Sequence, residues 1–235
     1  KEMAFLKEVK RNLHPSATPV DQGYEIEALH LPSKEYRFNL YDIEKSEEKI
    51  ALAVAGVDGD GIQAAMFAIM CRTLIRASPN KFDPSTAMID LNSRINQLAQ
   101  GMNLACFFSV LDLDNHAIEY VNAGFNPPFI VDPGGMVDTL GGGGIALGML
   151  DRMEMHNERI PIQPGDTMVI YSNGVVEAEN GHNKQFGIER LINLIIGNRS
   201  HPASEIIKAV EGDLRDFSKN THLNSDITLI ILKAR

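Results

Sequence analysis

The sequence predicts an α+β fold built on antiparallel sheets. Strand-period apolar segments come in blocks, helix-period segments also come in blocks, and the strands are joined by hairpin-type turns instead of helical crossovers. The chain has 235 residues, 44% of them hydrophobic, which suits one ordinary globular domain with material for a sizeable core.

Residues 1–13 read as an amphipathic helix, with Phe5, Leu6, Val9 and Leu13 spaced by three and four among Lys and Glu. Two roles suit it: packing on this domain, or ending a signalling helix from an upstream sensor module, with Phe5, Val9 and Leu13 as a homodimer seam. The start at Lys1, without methionine or a signal-like segment, suggests a fragment of a longer chain. Residues 1–15 are accordingly set apart as the end of a linker, and 16–235 as the domain.

Beyond Pro15 the period becomes two. Tyr24, Ile26 and Ala28 mark one strand, Tyr36, Phe38 and Leu40 a second, and the apolar run 50–57 a third. The turn Asp58-Gly59-Asp60-Gly61 releases a helix over 62–77, and Asp83-Pro84 supplies an N-cap and first-turn proline for a helix to about 100. Strands 105–113 and 117–122 flank Asp114-Asn115-His116, a hairpin composition. Further strands are expected at 128–131, 155–160, 167–171 and 227–232, with helices at 188–196 and 203–217. The run from Gly141 to Gly144 is expected as a flexible loop, because it lacks the Lys and Ser/Thr of a phosphate-cradling loop.

Composition removes several functional classes. The chain carries a net charge of −9, and its longest basic run is Lys10-Arg11, which argues against nucleic-acid or anionic-membrane binding. No apolar stretch reaches the roughly 18 residues of a membrane span. Cys71 and Cys106 lie in apolar surroundings without a Cys-x-x-Cys partner, as buried, reduced thiols in a cytoplasmic protein would. The seven histidines show no metal-ligand spacing. Ser172 and Ser225 lack the context of a nucleophile elbow.

Several motifs in one order carry a family resemblance. They are Tyr120-Val121-Asn122-Ala123-Gly124-Phe125-Asn126-Pro127-Pro128, Leu147-Gly148, Gln163-Pro164-Gly165-Asp166 and Phe186-Gly187-Ile188-Glu189-Arg190-Leu191. Together they resemble the PPM-type, metal-dependent serine/threonine phosphatases of the bacterial SpoIIE/RsbU branch, over residues 11–235. The resemblance implies a four-layer α-β-β-α sandwich of two antiparallel sheets flanked by helices. It also implies two Mg2+ or Mn2+ ions that activate a water for attack on phosphoserine. Such hard cations require carboxylate oxygens, at least one of them bridging.

At the four places where the family supplies those aspartates, this chain has Asn39, Gly56, Asn173 and Ser225. Asparagine still offers a neutral carbonyl, but Gly56 has no side chain and cannot bridge. The expectation is therefore a catalytically inactive pseudophosphatase with no metal cofactor, binding a regulatory partner in bacterial signalling. The rival expectation is an active phosphatase with relocated ligands drawn from Asp42, Asp58, Asp60 and Asp226, with Glu177 nearby. Turn chemistry alone selects Asp58 and Asp60, and Asp226 should point away from its neighbour Ser225. A third reading is an oligomerising or signal-relay scaffold. Arg37, standing where the family has glycine, is the candidate contact for a partner's phosphoserine. Family behaviour implies an anti-sigma-factor antagonist, or its kinase, as partner.

Overall fold

The computed structural model describes residues 8–235 apart from 10–12, 16, 34–37, 100, 142, 220 and 222. In chain order its strands are β1 (Tyr24–Leu31), β2 (Asn39–Lys45), β3 (Lys49–Val57), β4 (Leu104–Asp112), β5 (Ala117–Ala123), β6 (Phe129–Val131), β7 (Val137–Thr139), β8 (Glu158–Pro161), β9 (Thr167–Tyr171) and β10 (Ile227–Ala234). The helices are α1 (Gly61–Ala77), α2 (Pro84–Leu98), α3 (Asn173–Val176), α4 (Ile188–Asn198) and α5 (Ala203–Phe217). They form two compact units, one of Lys1–Pro19, Tyr36–Phe125 and Gly141–Ile162, the other of Val20–Glu35, Asn126–Leu140 and Gln163–Arg235. Each unit draws on three stretches of chain, so no single linker exists for composition to reveal.

The first unit holds the antiparallel sheet β2-β3-β4-β5-β8. α1 packs on β2 and β3, and α2 on β4 and β5. The continuous apolar run of β3 follows from burial of both its faces. Ala51, Ala53 and Ala55 meet the helix side, where the small residues Ala64, Ala65 and Ala68 of α1 allow close approach. Met88 and Ile95 of α2 are fully buried, each contributing about 1.5–3 kcal/mol. Asp83 caps α2 as expected, its carboxylate accepting from the Thr86 N–H at 3.2 Å and the Thr86 hydroxyl at 2.8 Å. Partial burial alone would raise its pKa, but hydrogen bonds from Thr86, Asn157 and Ser85 outweigh this and hold it below its ordinary value. The β4–β5 turn is organised by Asp112, whose carboxylate accepts from the Asn115 side chain at 2.9 Å and from the backbone N–H groups of Asn115 and Asp114.

The second unit holds the antiparallel sheet β1-β10-β9-β6-β7. Leu191 and Ile195 of α4, with Ile206, Val210 and Leu214 of α5, bury helix-spaced stripes against Val169, Leu229 and Ile231. α5 begins after Pro202, and the Glu25 carboxylate accepts from its Ala203 N–H at 2.7 Å in place of a capping side chain.

Four details depart from the sequence reading. β2 lies at Asn39–Lys45, later than the Tyr36–Leu40 alternation suggested, because burial of Asp42 on this strand breaks the apolar pattern. β8 is confined to Glu158–Pro161, since residues 155–157 leave the sheet. β7 and α3, of 3 and 4 residues, are too short for any periodicity to register. A fourth concerns the set-off linker of residues 1–15: its Val9 and Leu13 are buried in the core of the first unit, the packing role of the two read for this segment. Phe5 and Leu6 lie outside the described residues.

Candidate functional site

In the first unit the site positions sit on a strand pair. Asn39 and Gly56 are direct cross-strand partners on β2 and β3, and Ala105 of β4 flanks Gly56 on its other side. A Cβ added at Gly56 would stand 3.3 Å from the Asn39 Oδ1, so the asparagine amide already lies over the glycine. Asp42, three residues along β2, projects from the opposite face to Asn39. There it meets α1: Arg76 Nη1 donates to its Oδ1 at 2.8 Å, and Arg72 Nη2 lies 3.5 Å away. Burial pushes the Asp42 carboxyl above its ordinary value, and the two guanidinium groups only partly offset that. This carboxylate ties β2 to α1. The sequence held the parts of this contact, an acid amid apolar strand residues and two arginines one helical turn apart, but nothing local paired them.

Asp58 and Asp60 are exposed in the turn before α1. The turn needs its glycines, with φ of +122° at Gly59 and +66° at Gly61. Asp60 stands at the N-cap of α1, where its side chain makes no capping bond.

In the second unit the site positions flank a backbone lock. At the end of β9, the buried Ser172 hydroxyl donates to the Asp226 carbonyl at 3.1 Å and accepts from the Thr228 N–H at 2.9 Å. The Ser172 N–H in turn donates to the Thr228 carbonyl at 2.9 Å. α3 follows directly, and a Cβ at Gly174 would fall 2.3 Å from the Asp226 carbonyl oxygen and 3.0 Å from that of Ser225. Only glycine fits there, which fixes the backbone of Asn173 beside that of Ser225. Asn173 itself is exposed and Ser225 half-buried. The Asp226 carboxylate, 1% exposed, accepts from the Ser33 N–H at 2.8 Å and the Ser33 hydroxyl at 2.9 Å. It fastens the chain after β1 to the start of β10. Glu177 is exposed at the end of α3.

The four proposed relocated ligands therefore have separate settings: Asp42 between arginines, Asp226 on Ser33, Asp58 and Asp60 in an exposed turn. Among the described residues, no group of three or more His, Cys, Asp and Glu side chains is placed to hold a metal ion. Neither Asn39 with Gly56 in the first unit nor Asn173 with Ser225 in the second supplies a negative charge, so neither pair fits a Mg2+ or Mn2+ site that needs carboxylates. Arg37 lies outside the described residues.

The family motifs have structural explanations. Asn122 braces its own turn, accepting from the Phe125 N–H at 2.9 Å and donating to the Phe125 carbonyl at 3.1 Å. Gly124 has φ +76°, and a Cβ there would press to 3.0 Å on the Ala146 nitrogen. Asn126 donates to the Tyr171 carbonyl at 3.3 Å. Gly148, at φ +87°, has the Met102 carbonyl 2.4 Å from where a Cβ would be. Arg190 sits near the rings of Phe186 and Phe217, 5.1 and 4.7 Å from their centroids, and pairs bidentately with Asp213. Burial raises the Cys71 thiol to about 12 and pushes Cys106 up as well, which suits inert core thiols. No helix among the described residues is long and apolar enough to cross a membrane.

Comparison with known proteins agrees with these features. The family model of stage II sporulation protein E (SpoIIE) matches residues 46–235. The phosphoserine phosphatase RsbU of Bacillus subtilis is 26% identical over 239 residues, covering 100% of this chain and 70% of its own length. Protein IcfG of Synechocystis is 25% identical over 254 residues, covering 95% of this chain, which in turn spans only 40% of IcfG. The SiaA PP2C domain of Pseudomonas aeruginosa superposes with a TM-score of 0.85 at 18% identity, covering 99% of this chain and 96% of that one. The SpoIIE phosphatase domain of Bacillus subtilis with a fragment of its regulatory domain gives 0.72 at 15% identity, covering 92% and 64%. These likenesses bear out the fold class that the motifs implied. The chain belongs to the SpoIIE family, as a PPM-type phosphatase domain of the SpoIIE/RsbU branch.

Proposed function

We propose that this domain is a pseudophosphatase: it keeps the PPM frame and acts in bacterial signalling by binding a regulatory partner, without turnover. The observation that carries the reading is Gly56, which stands at the bridging position with no side chain, beneath the amide of Asn39. The neutral residues Asn173 and Ser225 support it, as does the structural engagement of Asp42 and Asp226. Neutral residues at the cross-strand partners Asn39 and Gly56 also spare a metal-free strand pair the repulsion of facing carboxylates. An anti-sigma-factor antagonist or its kinase suits the partner's role, in the cytoplasm, as the family resemblance implies.

The competing reading is an active phosphoserine phosphatase. It is favoured by RsbU and RsbP, both phosphoserine phosphatases of Bacillus subtilis, and it would rely on the exposed Asp58 and Asp60. The test is calorimetric titration of Mn2+ and Mg2+ into the protein, with phosphopeptide hydrolysis followed in the same buffer. No binding at millimolar metal and no phosphate release are expected. Binding of two ions with hydrolysis would overturn the reading and direct mutagenesis to Asp58 and Asp60.

A further inference from the structure

Residues 151–156 run past the edge of the first unit's sheet without joining it. β8 pairs with β5 only as far as Tyr120 and Glu158, whereas β5 continues to Ala123. Past that point Gly144 approaches, its N–H donating to the Asn122 carbonyl at 3.2 Å. Residues 151–156 make no backbone hydrogen bond among the described residues.

Two clips to α2 hold this span. At one end the Asn92 and Asn96 side-chain amides donate to the Leu150 carbonyl at 3.0 and 2.9 Å, and the Gly148 N–H donates to the Asn92 Oδ1 at 2.8 Å. At the other, the Asn157 Oδ1 accepts from the Ser85 N–H at 2.8 Å, and its amide donates to Asp83 at 3.2 Å. The span lies beside the sheet without pairing with it, its half-buried Met153 and Met155 packed against the core of the first unit. Between it and β5 lies an open cavity of about 410 Å3, within the size range of ligand sites.

The cavity divides its chemistry. Val121 and Ala123 of β5, with Leu150, Met153 and Met155, give an apolar lining. The two methionines alternate along the extended span and adapt readily to different side chains. Arg152, Glu154, His156 and Glu158 also line the cavity, two carboxylates against one guanidinium. Glu158 accepts from the Tyr120 hydroxyl at 2.7 Å. Glu154 has no hydrogen-bond or ion-pair partner among the described residues.

We propose that this cavity docks an extended peptide of a protein partner, bearing apolar side chains flanked by Lys or Arg. The free N–H and C=O groups of 151–156 offer strand-type pairing, the methionine-lined floor takes the apolar side chains, and Glu154 takes the basic one. This rests on the reading of the domain as a partner-binding module but not on its loss of turnover, so failure here leaves the metal question untouched.

The test uses the whole chain and a fluorescein-labelled heptapeptide of alternating leucine and lysine, with a control in which serine replaces leucine. Gly143 lines the cavity, and a Cβ there meets nothing within 4 Å, so Gly143→Leu adds bulk to the lining without a clash at its Cβ, and an unchanged melting temperature checks that the variant folds. Anisotropy should show binding of the leucine peptide, about tenfold weakening in Gly143→Leu and about threefold weakening in Glu154→Gln. Bound peptide should slow amide exchange at 151–156. Equal binding of the serine peptide, unchanged affinity in Gly143→Leu, exchange protection elsewhere, or binding of small apolar dyes without the peptide would each overturn the proposal.

Discussion

The two units hold the neutral residues Asn39 and Gly56, and Asn173 and Ser225, in different surroundings. At Asn39 and Gly56 the first unit presents a regular strand pair, in which only side chains distinguish one position from the next. At Asn173 and Ser225 the second unit presents a turn whose shape is held by other groups: the Ser172 hydroxyl, the missing side chain of Gly174 and the Asp226 carboxylate. The difference teaches which residues the fold itself demands. Residues that shape the turn are needed by the fold itself, whereas a side chain on a regular ladder can be exchanged at little structural cost.

The largest expected effect is at Gly174. Gly174→Ala drives a Cβ against a carbonyl oxygen 2.3 Å away, and chemical denaturation should show a loss of about 3 kcal/mol or failure to fold. A near-neutral result would mean that the turn is not locked. Asp226→Ala leaves the Ser33 N–H and hydroxyl without their buried acceptor and should cost about 2–3 kcal/mol by the same measurement.

Next comes Asp83→Ala, outside both site regions, expected to cost about 1 kcal/mol at neutral pH. Its carboxyl lies below its ordinary value of 3.8, so the folded state binds this proton less readily than the unfolded chain does. The stabilisation is thus full above that ordinary value and fades as pH falls through the depressed one. The gap in melting temperature between wild type and variant should close in strong acid. A gap that is constant with pH would remove the ionised cap from the account.

The smallest effect is expected from Gly56→Asp. Asn39 needs to yield only a few tenths of an ångström, and with no further carboxylate on the pair the variant should show no change in melting temperature on adding Mn2+. A clear metal-dependent rise, through ligand binding to the native state alone, would show that one carboxylate is enough to rebuild a site.

Much of this was legible in the sequence. α1, β3 and α5 appear at nearly the expected limits, because long apolar periodicity and turn residues are local signals. The absence of aspartate at the four family positions is likewise plain from the residues. The fate of Asp42 and Asp226 was not, since their partners Arg76 and Ser33 lie 34 and 193 residues away. The cavity was hidden for a related reason. Residues 155–160 read as one strand, and the contacts that hold this segment, from Asn92 and Asn96 to Leu150 and from Asn157 to Asp83, cross 54 to 74 residues.

The placement of the two cysteines has a practical consequence for kinetics. Both Cys71 and Cys106 are completely buried in the first unit, the second unit has none, and the chain contains no tryptophan. An alkylating reagent reaches these thiols only when that unit opens. Under mild conditions the labelling time course therefore gives the opening free energy of one half of the protein, and at high reagent concentration it gives the opening rate. The chain carries its own stopwatch for the half that holds Asn39 and Gly56.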